Sequence, residues 1–360
     1  MTIRYRLRFP LLAFGMLALL SALWGGLVRL GWGLPSVQPN LAGFHGPLMI
    51  SGFLGTLIGL ERAVALGRLW AYSGPLLSGL GALALIVGLP GASGQLLMTI
   101  ASLILVIASL TIILRQSTLF TMTMGLGAIC WLVGNILWIG GWPVHQIVLW
   151  WAGFLVLTIA GERLELARLA HLPGKSRPTF LLAVGLLLFG LVLTAISFDL
   201  GIRLSGIGMI TLAVWLMRYD IARRTVRQRG LTRFMAVCLL SGHAWLGVSG
   251  LLAMIFGGVV AGPQYDALLH ALLLGFVFSM IFGHAPIIFP AVIGVSMSFQ
   301  PSFYVHLVLL HLTLLLRMAG DLAGWMPGRQ WGGLLNVFVI LLFLANTGYS
   351  ILRSSAPTGR

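Results

Sequence analysis

The stretch "YDALLHALLLGFVFSMIFGHAPIIFP" runs from Tyr265 to Pro290. After Asp266 it carries no acidic or basic residue other than histidine, and it exceeds the roughly 20 apolar residues needed to cross a bilayer core. It reads as a membrane-spanning helix. Two imidazoles interrupt it, His270 and His284, fourteen residues apart. At about 100° and 1.5 Å per residue they share one helix face and lie roughly 21 Å apart. They cannot hold one metal together. Ionisable groups in a span are costly and point to function.

The same reading extends outward. Hydrophobic residues make up 59% of the 360-residue chain and charged residues 8%, more apolar surface than a soluble domain of this size can hide. Twelve apolar runs are long enough to span: 9–31, 44–66, 70–89, 94–114, 117–140, 144–166, 178–198, 200–218, 231–257, 264–290, 301–319 and 329–352. The fold class is therefore an all-α polytopic membrane bundle, expected as a single integral domain over 1–360. The first run follows a basic start and reads as a span rather than a cleaved signal, since no small-residue cleavage site follows it. With the N-terminus inside, only Arg29, Arg203, Arg317 and Arg329 of the 22 Lys and Arg fall outside. The positive-inside rule then puts both termini in the cytoplasm. The net charge of +15 becomes a topology signal, with anionic lipid headgroups as partner and no role in nucleic-acid binding. Cys130 and Cys238 form no CxxC or CxxCH motif, so neither a disulfide framework nor covalent haem attachment is indicated. No P-loop, GxSxG, HExxH or dinucleotide fingerprint stands in its required context.

A four-helix period connects runs 2, 6 and 10. Each has a histidine near one end, His45, His145 or His270, and an ionisable residue near the other, Glu61, Glu162 or His284, spaced by 16, 17 and 14 residues. The segments "IGLERA", "IAGERL" and "IFGHAP" align locally. Three arcs of four helices would place one such helix in each arc. His45 and His270 fall at similar depth on different helices and suit axial ligation of one haem iron. Arg62 and Arg163 suit the haem carboxylates, because a guanidinium binds carboxylate in a bidentate fork; ion pairing at helix ends is the other reading of both. His284, His243 and His311 are candidates for a second metal, and hydrogen-bonded core histidines are the alternative. His306 and His311 lie about 140° apart on their helix and do not make one site. Asp266, one turn before His270, either orients that imidazole or stays solvated. Pro286 is expected to bend its helix beside His284. His171, in "ARLAHLPGK", reads as a surface residue.

On "FHGPLMISGF" in run 2, "HALLLGFVFSMIFGHA" in run 10 and the twelve runs, the chain resembles the NnrS family, itself similar to the catalytic subunit of haem-copper oxidases. That resemblance implies haem of type b, copper as a second metal, an electron donor protein, a role in redox chemistry or nitric-oxide response, and residence in a bacterial cytoplasmic (inner) membrane. In the oxidases, histidines of helices 2 and 10 hold the low-spin haem, which matches His45 and His270. The chain departs from the oxidase pattern in having no histidine in run 7, no adjacent histidine pair and no His-x-x-x-Tyr, so an oxygen-reducing centre is not expected, and whether the protein is an enzyme stays open. Two other readings stand beside this one: a proton-coupled secondary transporter using Glu61, Glu162 and His284, and a non-catalytic subunit of a respiratory assembly. Single cysteines placed across the 219–230 segment should be labelled from the cytoplasmic side; labelling from the opposite side would invert the assigned topology.

Overall fold

The computed structural model describes residues 3–35, 38–168 and 173–355; His171 lies outside them. Among the described residues there is no strand, and twelve helices are long and apolar enough to cross a membrane. They are α1 (Arg8–Arg29), α2 (His45–Leu66), α3 (Leu69–Val87), α4 (Ser93–Arg115), α5 (Leu119–Ile139), α6 (Val144–Ala167), α7 (Ser176–Leu193), α8 (Phe198–Tyr219), α9 (Gly230–Phe256), α10 (Pro263–Ile293), α11 (Phe303–Leu322) and α12 (Met326–Ser354). The protein is a multi-pass, all-α membrane protein. Each helix matches one of the twelve apolar runs to within a few residues, because hydropathy and helix length are set by the same hydrocarbon thickness. The largest difference is at α7, which stops at Leu193; α10 continues as helix through Pro286 and Pro290.

Contacts group the chain into two compact units. One comprises residues 1–161 with 292–294, the other residues 162–291 with 295–360. In the first unit α1 packs on α2 and α3, α3 on α4, and α4 on α5. Its centre is polar as well as apolar. Asn135 of α5 accepts from Trp151 Nε1 of α6 (3.0 Å) and from Ser51 Oγ of α2 (3.4 Å), and its amide donates to the Met98 carbonyl of α4 (3.2 Å). Trp131 Nε1 donates to Ser51 Oγ (2.9 Å), and Ser78 Oγ of α3 donates to the Ser51 carbonyl (2.6 Å). Five helices are thus joined through Ser51 and Asn135, which suits a medium where apolar contact alone does not favour helix over lipid. Arg8 is also buried, donating to Tyr72 Oη (3.3 Å) and to the Val292 carbonyl (2.8 Å).

In the second unit, α7 packs on α8, α8 and α10 on α9, and α11 on α12. α8 and α9 cross where Gly206 faces Gly250. A Cβ on either would lie 2.6 Å from the carbonyl oxygen of the other, so both must lack a side chain.

Two helices depart from α geometry. α2 is π-helical over Leu48–Leu54 and α10 over Ala271–Phe278. Each wide turn begins within three residues of a candidate histidine, His45 or His270. Displaced carbonyls near these turns find hydroxyl donors. Ser78 serves Ser51 in α2, and Ser249 Oγ of α9 donates to the Leu268 carbonyl of α10 (3.0 Å). Such rescue is what makes irregular backbone tolerable inside a membrane, and π turns recur at functional sites. α6 is α-helical throughout, so this likeness joins runs 2 and 10 of the four-helix period and not run 6.

Replacing Asn135 with Leu should lower unfolding stability by about 1–3 kcal/mol, the usual penalty for leaving buried donors unpaired, as measured by thermal unfolding in detergent or nanodiscs. An unchanged transition would show that the network does not hold these helices together.

Candidate functional site

Five of the described histidines fall into two groups according to which ring nitrogen is engaged. His45, at the start of α2, has Nδ1 2.7 Å from the Ala22 carbonyl of α1. His270 has Nδ1 2.7 Å from the Asp266 carbonyl one turn earlier. His284 has the same relation to the Met280 carbonyl, also at 2.7 Å. A carbonyl only accepts, so Nδ1 carries the proton in all three, and in the neutral ring the lone pair is on Nε2. A backbone carbonyl holding Nδ1–H is the usual way to orient an imidazole whose Nε2 binds a metal. Gly26 of α1 makes room for His45: a Cβ there would sit 3.0 Å from the ring.

His311 and His306 have the opposite arrangement. Trp245 Nε1 of α9 donates to His311 Nδ1 (3.0 Å), so the His311 lone pair is already used and Nε2 carries the hydrogen. That is the opposite tautomer to the one in His45, His270 and His284, with the lone pair already engaged by the indole. Trp245 reaches it because Gly275 in the π turn of α10 leaves space for the indole. His306 Nδ1 faces the Asn346 amide (3.3 Å), and its ring is enclosed by Phe282, Phe303 and Phe343. As the helical phase requires, the two histidines of α11 serve separate neighbours.

The Asp266 carboxylate does not stay solvated. It is buried and ion-paired, hydrogen-bonded by Arg329 of α12 and 3.8 Å from Arg317 of α11. The Asp266 carbonyl holds His270 Nδ1, and the carboxylate also interacts electrostatically with that ring. Asp321 completes the group, 3.1 Å from Arg329 and 3.9 Å from Arg317. Near the same end of the unit Arg203 pairs with Asp199 at 2.8 Å. Three of the four arginines expected outside, Arg203, Arg317 and Arg329, thus pair with the three aspartates Asp199, Asp266 and Asp321.

A second polar cluster lies at the opposite end of these helices. Arg163 of α6, 2% exposed, is not at a lipid or solvent interface. Its Nε and Nη2 donate to Asp220 Oδ2 and Oδ1, both at 2.7 Å, in a bidentate fork. Asp220 Oδ1 also accepts from the Ala222 amide (2.8 Å). Arg163 Nη1 is 3.5 Å from His284 Nε2, and His243 Nε2 of α9 is 3.6 Å from Asp220 Oδ2. The guanidinium fork of Arg163, expected for a cofactor carboxylate, is engaged here by Asp220. Of the two readings of that arginine, ion pairing holds, but buried and with an acid from another helix end. Arg62 differs from its counterpart. It is half-buried beside a small crevice lined by Gly55, Gly59, Gly74 and Pro75.

Sequence reasoning missed Asp220. It is a lone acid within "RYDIARRTVRQRGLTR", where the arginines set the topology and hide it; its signal was to be the only acid in that basic stretch. Among the described residues no group of three or more His, Cys, Asp or Glu converges as a metal site. His243 and His284 come together around Asp220, but the guanidinium of Arg163 sits among them, where a cation would be repelled. His45 lies in the first unit and His270 in the second.

Burial opposes the ionisation of Asp220, but the hydrogen bonds and charge of Arg163, with His243 and the Ala222 amide, outweigh it and hold the carboxyl below the ordinary carboxylate range. A carboxylate depressed in this way adds stability above its unfolded value near pH 4, and that contribution is lost as the pH falls through the lower folded value. Replacing Arg163 with Met should destabilise the protein by about 3–5 kcal/mol at pH 7, because a buried charge loses its partner. The penalty should shrink below about pH 4, where Asp220 of the unfolded chain also binds a proton. Chemical denaturation at pH 7 and pH 4 checks both; a penalty independent of pH would place its origin outside the ion pair.

No curated protein matches the chain. The family model described as "Domain of unknown function (DUF8744)" matches residues 8–351, nearly the whole length, and the protein belongs to that family.

Proposed function

We propose that this protein is a haem-binding membrane protein of a redox or nitric-oxide-response type, with His45 and His270 supplying two axial imidazoles. The observation that carries the reading is their shared preparation: each Nδ1 meets a backbone carbonyl at 2.7 Å. That sets the tautomer in which Nε2 has the lone pair a haem iron takes. The π turns that follow both residues support it, since the two helices depart from α geometry at corresponding places. When bound, haem would supply one-electron chemistry at its iron. The chain contributes orientation of the two rings, through Ala22, Gly26 and the Asp266 carbonyl, and an apolar surround. Haem of type b fits best, as no CxxCH is present for covalent attachment. Arg62 is the remaining candidate for a haem carboxylate.

The nitric-oxide role, the electron donor protein and the location in a bacterial inner membrane with both termini cytoplasmic rest on the resemblance and on charge distribution. Copper as a second metal rests on the resemblance alone. One observation favours a second reading, proton-coupled transport: the buried cluster of Arg163, Asp220, His243 and His284 resembles the ionisable groups of proton-coupled transporters.

Optical spectra of purified protein, oxidised and reduced, with metal analysis of the same sample, test the proposal. A Soret band that sharpens and shifts on reduction is expected, and His45→Ala or His270→Ala should each abolish the low-spin spectrum. Its retention in both variants sinks the axial pair. Colourless, metal-free protein from cells supplied with haem turns the assignment to the transport reading.

A further inference from the structure

We propose that the cluster of Arg163, Asp220, His243 and His284 is a proton-binding site inside the membrane, with His243 as the acceptor and Asp220 as its counter-ion. The groups fall to these roles by geometry. The titratable and charged side chains around His243 are Asp220 from the end of α8, Arg163 from α6 and His284 from α10. Arg163 is fixed as a cation by its two 2.7 Å bonds to Asp220, and Asp220 as an anion by the same bonds. His284 has its Nδ1 proton on the Met280 carbonyl and its Nε2 towards Arg163 Nη1 at 3.5 Å. A proton added at Nε2 would put two N–H donors, both positively charged, face to face. His284 is therefore held neutral.

His243 is different. Its side chain is wholly buried, yet neither ring nitrogen has a hydrogen-bond partner among the described residues. A buried polar group without partners is uncommon in a folded protein and calls for a reason. Here one nitrogen already lies 3.6 Å from Asp220 Oδ2, a few tenths of an ångström beyond hydrogen-bond reach. Protonation completes the arrangement. The neutral ring takes a proton from a solvent hydronium ion, leaving water; the N–H at Nε2 then donates to Oδ2, and the imidazolium meets a carboxylate that Arg163 only partly neutralises. No bond between heavy atoms changes, and the cluster goes from net neutral to a single positive charge. The proton comes from the side of the 220–229 segment, where Asp220 leads directly to the exposed Arg223 and Arg224. The site does not depend on haem, so it stands or falls separately from the preceding proposal.

The full chain, labelled with 15N-histidine and placed in lipid nanodiscs, would be followed by imidazole 15N spectra from pH 4 to 9, with folding monitored by thermal unfolding at each pH. One buried imidazole should change from neutral to cationic within this range while the protein stays folded, and that signal should be missing in His243→Asn. In Asp220→Asn its midpoint should fall by about one pH unit or more, as expected when an opposite charge within 4–6 Å is removed. If Asp220→Asn does not fold, His284→Asn decides: survival of the titrating signal keeps His243 as acceptor, and its disappearance moves the proton to His284 and overturns the assignment. A His243 signal that remains neutral across the whole folded range overturns the site altogether and leaves the cluster as a structural tie between helix ends.

Discussion

In hydrocarbon, a backbone carbonyl or amide that is not bonded within the protein finds no water to bond instead. That constraint makes the twelve spans helical, and it also explains the exceptions. Where α2 and α10 open into π turns, hydroxyls of Ser78 and Ser249 reach across from neighbouring helices to carbonyls near the widened backbone. Where rings must be aimed, the carbonyls of Ala22, Asp266 and Met280 serve as acceptors for His45, His270 and His284. The same groups whose satisfaction dictates helix are spent, at a few places, on holding side chains.

Charge obeys a parallel rule. An ionised side chain in or near the membrane persists when paired, and the arginines of the second unit show how. Arg317 and Arg329 share Asp266 and Asp321 near one end, and Arg163 takes Asp220 in a fork near the other. These pairs join helices distant in sequence, so they set which helix ends meet. They also decide which cations can meet a ligand. Arg163 is occupied, while the imidazoles beside it, His243 and His284, share one low-dielectric site with a carboxylate. Such placement is suited to moving a proton more than to holding a metal cation.

The tautomers sort the histidines more sharply than their positions do. Three rings donate through Nδ1 to carbonyls and point a lone pair from Nε2. Two, His306 and His311, accept at Nδ1 from an amide and an indole. By depth and hydropathy alone His311 and His270 are similar candidates. A single contact from Trp245, made possible by the missing side chain of Gly275, separates them.

The number of spans, their bounds to within a few residues and the all-α class were legible in the sequence, because apolar length and the absence of charge act locally and each run announces itself. So was the separation of His306 from His311, a matter of helical phase, and the special character of the helices bearing His45 and His270. The partners were not legible. Asp220 is one acid among many arginines until folding brings it to Arg163, 57 positions away. The Asp266 side chain, one turn before His270, also takes Arg329 of another helix, a charge-assisted bond that sequence position does not announce. Ser51 and Asn135 are ordinary polar residues in two apolar runs, and only packing shows that they join five helices. Hydropathy is a property of each segment and can be read along the chain. Hydrogen-bond and ion-pair choice is a competition among groups from several helices, and its outcome exists only once tertiary structure has placed them together.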